Sequence, residues 1–334
     1  MTVISYEEFI VSRDSHSASY SYSIQKSSDD FSSLPNSVVV SSIYSSLNYK
    51  DILSCTGHPG VTRRYPHRPG TDLVGTVLES TSELYSPGDL VYTCAYPLGT
   101  SMHGTFSTVV SSPANYFQLI PKLLSPRFLM LLGTAGFTAG NVALKCRTVQ
   151  ATGEPLYLVS GATSSTGQFI VLLLNKLGIA PSILIRADSL HLFPKHLRID
   201  SVFNVEDIMA GQTFGLGKSR FSIIIDLLGG PLVRPLLSML YNSGHLFSIG
   251  NILGSKFECS LLPFFQRGVT IHGINSESCT SDYRSYVWSY LRQAVEDYEI
   301  EMLNRSVDFT SLPLLLSSIT SDARADSRHV LIGF

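Results

Sequence analysis

The amino-acid sequence predicts an α/β protein of two domains, one β-rich and barrel-like, the other a doubly wound parallel sheet. Three observations carry this. The chain has 334 residues, more than one hydrophobic core usually organises. Residues 1 to about 122 read as short β-rich runs broken by turn residues. Beyond them, apolar runs bounded by glycine alternate with helical segments, the pattern of parallel strands joined by helical crossovers.

In the first stretch the strand candidates are NSVVVSSIYSSL (36–47), DLVGTVLES (72–80), DLVYTCAYP (89–97) and GTFSTVVSS (104–112). HPG, RPG and SPGD between them are Pro-Gly turn signals. SRDSHSASYSYS (12–23) is serine-rich, but its alternation of Ser with Tyr reads as an exposed strand. In the second stretch PLYLVS (155–160) predicts a strand, QFIVLLLNKLG (168–178) a helix closed by Gly178, and PSILIR (181–186) the next strand. SVFNV (201–205), SIIIDLL (222–228), HLFSIG (245–250) and VTIHGI (269–274) are further β-branched runs. Helix-length segments such as PLVRPLLSMLYNSG (231–244) separate them. The tail, with amphipathic DYRSYVWSYLRQAVEDYE (282–299) and a closing RHVLIGF strand (328–334), is expected to return to the first domain.

Charge and cysteines narrow the partners. Lys plus Arg number 24 against 26 Asp plus Glu, and 15% of residues are charged, which argues against nucleic acid or an anionic membrane as partner. Cys55, Cys94, Cys146, Cys259 and Cys279 are far apart and form no C-x-x-C pair, so neither a disulfide framework nor a zinc knuckle is expected, and a reducing cytoplasm fits. The N-terminal MTVISYEEFI has acids where a signal peptide needs a basic region. The longest apolar stretches are read as interrupted before the ~20 residues of a spanning helix. A soluble, cytoplasmic protein with a small-molecule partner is expected.

VSGATSSTGQFIV (159–171) lies between a predicted strand and a predicted helix. There, backbone N–H groups and the positive helix end would cradle a pyrophosphate. Laying Gly-x-Gly-x-x-Gly on it with the last glycine at Gly167 puts the first two glycine positions on Ala162 and Ser164. Hydroxyls of Thr163, Ser164, Ser165 and Thr166 are expected to replace the closest backbone contacts. A plain helix cap accounts for the same residues. After PSILI, Arg186 follows directly and Asp188 lies about 20 residues beyond Gly167. A basic residue there accommodates the 2′-phosphate of NADP and an acid the ribose of NAD. Arg186 comes first, which favours NADP; a solvated loop cation is the alternative.

SSLNYKD (45–51), RRYPHRPGTDLVGTV (63–77), SPGDLV (86–91), LLGTAGFTAG (131–140) and GATSSTG (161–167) are followed by IDLLGG (225–230), LYNSGHLFSIG (240–250), LPFFQRGVTIHGINS (262–276) and SRHVLIGF (327–334). In order and spacing they resemble the zinc-free medium-chain dehydrogenase/reductase superfamily, in its acrylyl-CoA reductase and quinone oxidoreductase branch. The resemblance implies a GroES-like catalytic domain (1–124 and 276–334) around a Rossmann NADP-binding domain (125–275), and a homodimer. It implies NADPH-dependent reduction of the C=C bond of an α,β-unsaturated acyl-CoA thioester by hydride transfer to the β-carbon. NADPH quinone or alkenal reduction is the alternative, and a non-catalytic dinucleotide-binding sensor or structural protein a third reading.

By the same resemblance Tyr49 approaches the nicotinamide, with Asn48 and Lys50 as neighbours. The phosphate turn is Thr163, Ser164, Ser165 and Thr166; the ribose phosphate site is Ile185 and Arg186; the nicotinamide end is Asn251, Phe265 and Ser276. A family asparagine near the C-terminus falls on Ala323. Zinc-dependent relatives have a cysteine at the start of the NYKD segment and Gly-His-Glu where this chain has Gly70, Thr71 and Asp72. No metal is expected, since His58 and His67 lack a thiolate partner. Tyr65 is a candidate proton donor to an enolate, or a barrel aromatic. Arg63, Arg64 and Arg68 around it are placed to attract CoA phosphates, or form a charged loop.

Overall fold

The structure is a computed structural model that describes residues 3–15, 19–31, 34–150, 156–211, 216–321 and 328–334. It comprises two compact units, Met1–Thr134 with Asp297–Phe334, and Ala135–Glu296.

The first unit opens with an antiparallel hairpin of β1 (Ile4–Arg13) and β2 (Tyr20–Asp29). Half-buried and exposed residues alternate at the start of β2, so that Tyr20, Tyr22 and Ile24 lean on a core of Phe9, Val11 and Phe106. Of the serine-rich segment expected as one strand, Ser12–Arg13 ends β1 and Tyr20–Ser23 begins β2, where the period of two reflects a strand with one wet face. β3 (Ser37–Leu47) is the hub of the unit's larger sheet. After it come α1 (Tyr49–Cys55), β4 (Leu73–Ser80), β5 (Leu90–Thr93), β6 (Val109–Pro113) and β7 (Gln118–Leu119). Val38 and Val40 of β3 pack with Leu73, Val77, Val91, Val110 and Phe117.

α2 (Pro126–Cys146) carries the chain across the boundary. It is the one described helix long and apolar enough to cross a membrane by length and composition, yet 83% of its most apolar window is buried. Its length departs from the expectation that every apolar stretch is interrupted before about 20 residues, since the small residues of GTAGFTAG pack within the helix. The break lies at Gly133 alone, with φ +51° and ψ −154°, a conformation that L side chains rarely adopt.

The second unit holds β8 (Tyr157–Ser160), α3 (Ser165–Lys176), β9 (Ser182–Ile185), β10 (Val202–Asn204), α4 (Val205–Ala210) and β11 (Phe221–Asp226). α5 (Val233–Ser238), β12 (Leu240–Ser248), α6 (Leu262–Arg267), β13 (Thr270–Gly273) and α7 (Ser281–Ala294) follow. Among the described residues the sheet order is β10-β9-β8-β11-β12-β13, every pair parallel. All residues of β8, β9 and β11 are buried, as strands covered on both faces must be. Phe169 to Leu174 of α3 are buried as well. Strand order reverses between β8 and β11, where open α/β sheets bind ligands beyond the carboxyl ends of their strands. The segment 231–244 is only partly helical: α5 ends at Ser238 and LYNSG begins β12.

The chain then returns to the first unit through α8 (Asp297–Met302), β14 (Asn304–Asp308), α9 (Leu312–Ser321) and β15 (His329–Gly333). β15 lies between β14 and β3. All five cysteines are free thiols.

Candidate active site

In the second unit the glycine-poor turn begins where β8 ends. Gly161 adopts φ +64° and Ala162 is fully buried. Ser164 N-caps α3: its hydroxyl donates to the Gly161 carbonyl (2.8 Å) and accepts from the Gly167 N–H (3.2 Å). The one proton of Ser164 is thus engaged inside the turn, so the hydroxyl expected as a phosphate donor serves as the helix cap in this structure. The half-buried hydroxyls of Thr163, Ser165 and Thr166 have no hydrogen-bond partner among the described residues, nor do the N–H groups of Ser165 and Thr166. These are first-turn amides without intrahelical acceptors, and they form the positive end of α3.

Gly167 is required by packing, since a Cβ there would stand 2.6 Å from the Gly161 carbonyl oxygen and 2.7 Å from the Ala162 Cα. The missing glycines are tolerated because the Ala162 methyl is accommodated inside and Ser164 serves as cap.

Under the turn, Ser160 donates its hydroxyl to Asp226 Oδ1 (2.5 Å) and accepts the Leu227 N–H (3.0 Å). Asp226 also accepts the N–H groups of Leu228 (3.1 Å) and Gly229 (3.0 Å). Burial raises the Asp226 carboxyl above its ordinary pKa, against the pull of these donors. This carboxylate knots the end of β11 to the end of β8 at the switch point. Sequence reasoning assigned it nothing; the signal was a lone acid closing an apolar run before Leu-Leu-Gly-Gly.

The other cofactor candidates are less uniform. Ile185 is 2% exposed, so its side chain belongs to the sheet and its backbone is the part available to a ribose. Arg186 pairs with Asp188 at 3.1 Å, the side chains 52% and 48% exposed, and the next amide, Ala187 N–H, donates to Glu206 (3.2 Å). The Ser276 hydroxyl shares a hydrogen bond with Thr138 (3.0 Å), and its carbonyl accepts from the buried Arg284 (3.0 Å). Asn251 is exposed after β12 and Phe265 on α6 is 71% exposed. Neither side chain makes a hydrogen bond or ring contact among the described residues. Ala323 lies outside the described residues.

In the first unit, Asn48 precedes α1 as its N-cap. Its N–H donates to Asp51 Oδ2 (2.8 Å), and its Nδ2 donates to both Thr71 Oγ1 (2.9 Å) and Asp72 Oδ2 (2.8 Å). Both amide protons are engaged, so Asn48, a catalytic candidate beside Tyr49, is held as an anchor of the helix. Tyr49, the first residue of α1, is 50% exposed and its hydroxyl has no hydrogen-bond partner among the described residues. Lys50 is exposed. Asp51 and Asp72 are wholly buried. Burial pushes the Asp51 carboxyl up to about 8 and raises Asp72 against the donors of Ser46, Thr134 and Asn48. Neither acid was singled out from the sequence for chemistry.

Tyr65 donates its hydroxyl to the Ser54 carbonyl and packs edge-on against Tyr20. Burial pushes its pKa up to about 12. The proton of this candidate donor is held by the barrel wall. Arg68 is buried, ion-paired to Glu8 (2.9 Å) and bonded to the Gly104 carbonyl (2.9 Å). It is thereby withdrawn from anion binding, while Arg63 and Arg64 stay exposed. His67 faces the Gly99 carbonyl (2.9 Å) and stacks on His103; His58 is exposed and accepts from the Gly60 N–H. Among the described residues no three His, Cys, Asp or Glu side chains are grouped to hold a metal ion.

Residues 34–122 match the Alcohol dehydrogenase GroES-like domain family. YhfP of Bacillus subtilis, named provisionally as a quinone oxidoreductase, is 32% identical over 289 residues, 84% of this chain and 86% of that one. The chain belongs to the quinone oxidoreductase and acrylyl-CoA reductase branch of the medium-chain dehydrogenase/reductase superfamily. A second member of this reductase branch, the acrylyl-CoA reductase AcuI of Ruegeria pomeroyi, is 27% identical over 283 residues, again 84% of this chain and 86% of that one. The crystal structure of Bacillus subtilis yhfP with NAD bound matches with a TM-score of 0.85 at 26% identity, covering 99% of this chain and 100% of that one. The yhdH oxidoreductase of Salmonella enterica, in complex with NADP, shares the fold with a TM-score of 0.86 at 24% identity, covering 98% and 99%.

Proposed function

We propose that this chain is an NADPH-dependent reductase of the C=C bond of an α,β-unsaturated acyl-CoA thioester. As a medium-chain reductase it is a nicotinamide-dependent oxidoreductase; the thioester is the finer reading, supported by its likeness to AcuI. The observation that carries the cofactor site is the turn 163–167: unpartnered amides and hydroxyls at the start of a 12-residue helix, on the sheet's switch point, with a glycine where a Cβ would collide with the turn. This fits a pyrophosphate.

The amides of Ser165 and Thr166, with the hydroxyls of Thr163, Ser165 and Thr166, would hold the pyrophosphate, and Arg186 the 2′-phosphate. When bound, the dinucleotide supplies the hydride that reaches the substrate β-carbon. Negative charge then develops on the thioester oxygen and must meet preorganised donors. The Tyr49 hydroxyl, half-exposed and without a hydrogen-bond partner among the described residues, is the donor we assign to it, while both Asn48 amide protons are engaged.

A second reading, quinone or alkenal reduction, is favoured by the withdrawal of Arg68 into its pair with Glu8, which removes one of three cations from a CoA site, and by the likeness to YhfP. NADPH consumption followed with acrylyl-CoA, crotonyl-CoA and a simple quinone decides between them. Thioester turnover is expected; quinone turnover without it would defeat the first reading. Absence of a melting-temperature shift with either NADPH or NADH would defeat both.

A further inference from the structure

The two segments that most mark this chain's family, NYKD and GTAGFTAG, meet on one carboxylate. Four hydrogen bonds converge on Asp72: Ser46 Oγ–H (2.6 Å), Asn48 Nδ2–H (2.8 Å) and Thr134 N–H (2.7 Å) donate to Oδ2, and Thr134 Oγ1–H (2.5 Å) donates to Oδ1. The Thr134 hydroxyl itself accepts from the Ala95 N–H (2.6 Å), which leaves its proton for the acid. Gly133 makes this possible. Its backbone conformation breaks α2 and turns both donors of Thr134 onto the acid. A Cβ at 133 would press on Ser46 Oγ and stand 2.6 Å from Asp72 Oδ2.

Every side-chain contact to Asp72 is a donor, an arrangement that an ionised carboxylate satisfies in full; a carboxamide or a neutral carboxyl would set a proton of its own against the Thr134 hydroxyl. Inside a dry core such a mismatch is costly. Asn48, held on one side by Asp72 and on the other by Thr71, is the residue from which α1 starts, and Tyr49 is the first residue of that helix.

We infer that Asp72 is the positioning residue of the NYKD site, acting through Asn48 to fix the first turn of α1 and with it the Tyr49 hydroxyl. This rests on the reading of Tyr49 as the donor in the proposed reduction. The carboxylate touches neither substrate nor cofactor in this role.

Two readouts on the full chain test it. In hydrogen–deuterium exchange, Asp72→Asn speeds exchange over residues 48–55 by about 10-fold while β8 and α3 keep wild-type protection. With NADPH and crotonyl-CoA, kcat falls by about 10²-fold, the scale of a misplaced reactive group, with the KM for NADPH unchanged. Because Asp72 acts through Asn48, the double variant Asp72→Asn/Asn48→Ala loses no more kcat than the worse single variant. Should Asp72→Asn fail to fold, Asn48→Ala alone carries the test, since it leaves three of the four donors in place; it gives the same exchange and kcat losses.

Additive kcat losses, or exchange rising equally in α3 and α1, would overturn the inference. So would wild-type exchange over 48–55 in Asn48→Ala. If the wild-type chain reduces no substrate, the functional reading fails by itself, and the exchange data still decide whether Asp72 orders α1.

Discussion

Arg186 and Asp188 hold one another at 3.1 Å with about half of each side chain in solvent, an exposed pair of the kind worth about 0–1 kcal/mol. A 2′-phosphate, in the proposed site, would offer the guanidinium a doubly charged acceptor and a bidentate geometry and would displace Asp188. Arg186→Ala is expected to lower NADPH affinity by about 10-fold, the scale of one charge-assisted hydrogen bond, and to leave NADH affinity unchanged in a fluorescence titration. Equal losses for both nucleotides would remove Arg186 from the phosphate site. Tyr65 gives the opposite expectation. Its proton rests on the Ser54 carbonyl, so Tyr65→Phe should cost about 1 kcal/mol of stability while kcat holds; a large fall in kcat with unchanged melting would restore the phenol as proton donor. The place of Arg186 at the end of β9 was legible in the sequence because its position after an apolar run is local information. Arg68 and Tyr65 were not, since their partners Glu8 and Ser54 are chosen by tertiary packing, Glu8 from 60 positions away.

The phosphate turn is the element at which sequence and structure inform each other most closely. Its place between strand and helix followed from the change of hydrophobic period at Ser160, and α3 lies there. What a degenerate fingerprint left open was whether Ser164 binds phosphate or caps the helix, and its hydrogen bonds to Gly161 and Gly167 answer with the cap. Ser164→Ala should therefore destabilise the unit by about 1 kcal/mol, whereas Ser164→Gly costs only a few tenths because glycine is tolerated at an N-cap. NADPH affinity should survive both changes, and improve in Ser164→Gly as the backbone can come closer. A loss of NADPH binding in both variants, at unchanged fold, would show that the hydroxyl does reach the phosphate. The elements that escaped the sequence were those whose cause is not periodic. α1 is a seven-residue helix set by a capping residue and buried acids, and the first half of β12 grows from a Tyr-Asn-Ser-Gly stretch with turn-like composition. The acids Asp51, Asp72 and Asp226 bind donors scattered along the chain, and no local pattern announces them.

Across the whole molecule the buried ionisable groups pull stability in opposite directions with pH. Burial raises Asp51, Asp72 and Asp226 above the ordinary 3.8, Asp51 to about 8, and lowers His67, His103, His272 and His329 below 6.5, His329 to about 4. Between about pH 4 and 6.5 the unfolded chain protonates His329 while the folded chain does not, so this group's share of stability rises with pH. Between about pH 4 and 8 the folded chain keeps a proton on Asp51 that the unfolded chain has released, so stability falls as pH rises. Above 6.5 the histidine gain is complete and the carboxylate loss continues. The melting temperature is thus expected to decline from pH 6.5 to 8, and the slope to flatten in Asp51→Asn even if that variant melts lower at every pH. Asp51 accepts from the Asn48 N–H, the Gly70 N–H and the Thr71 hydroxyl, all of which favour the ionised form. A wild-type melting temperature that stays level over this window would mean that these three donors outweigh burial and that Asp51, like Asp72, stands as a carboxylate under the NYKD helix.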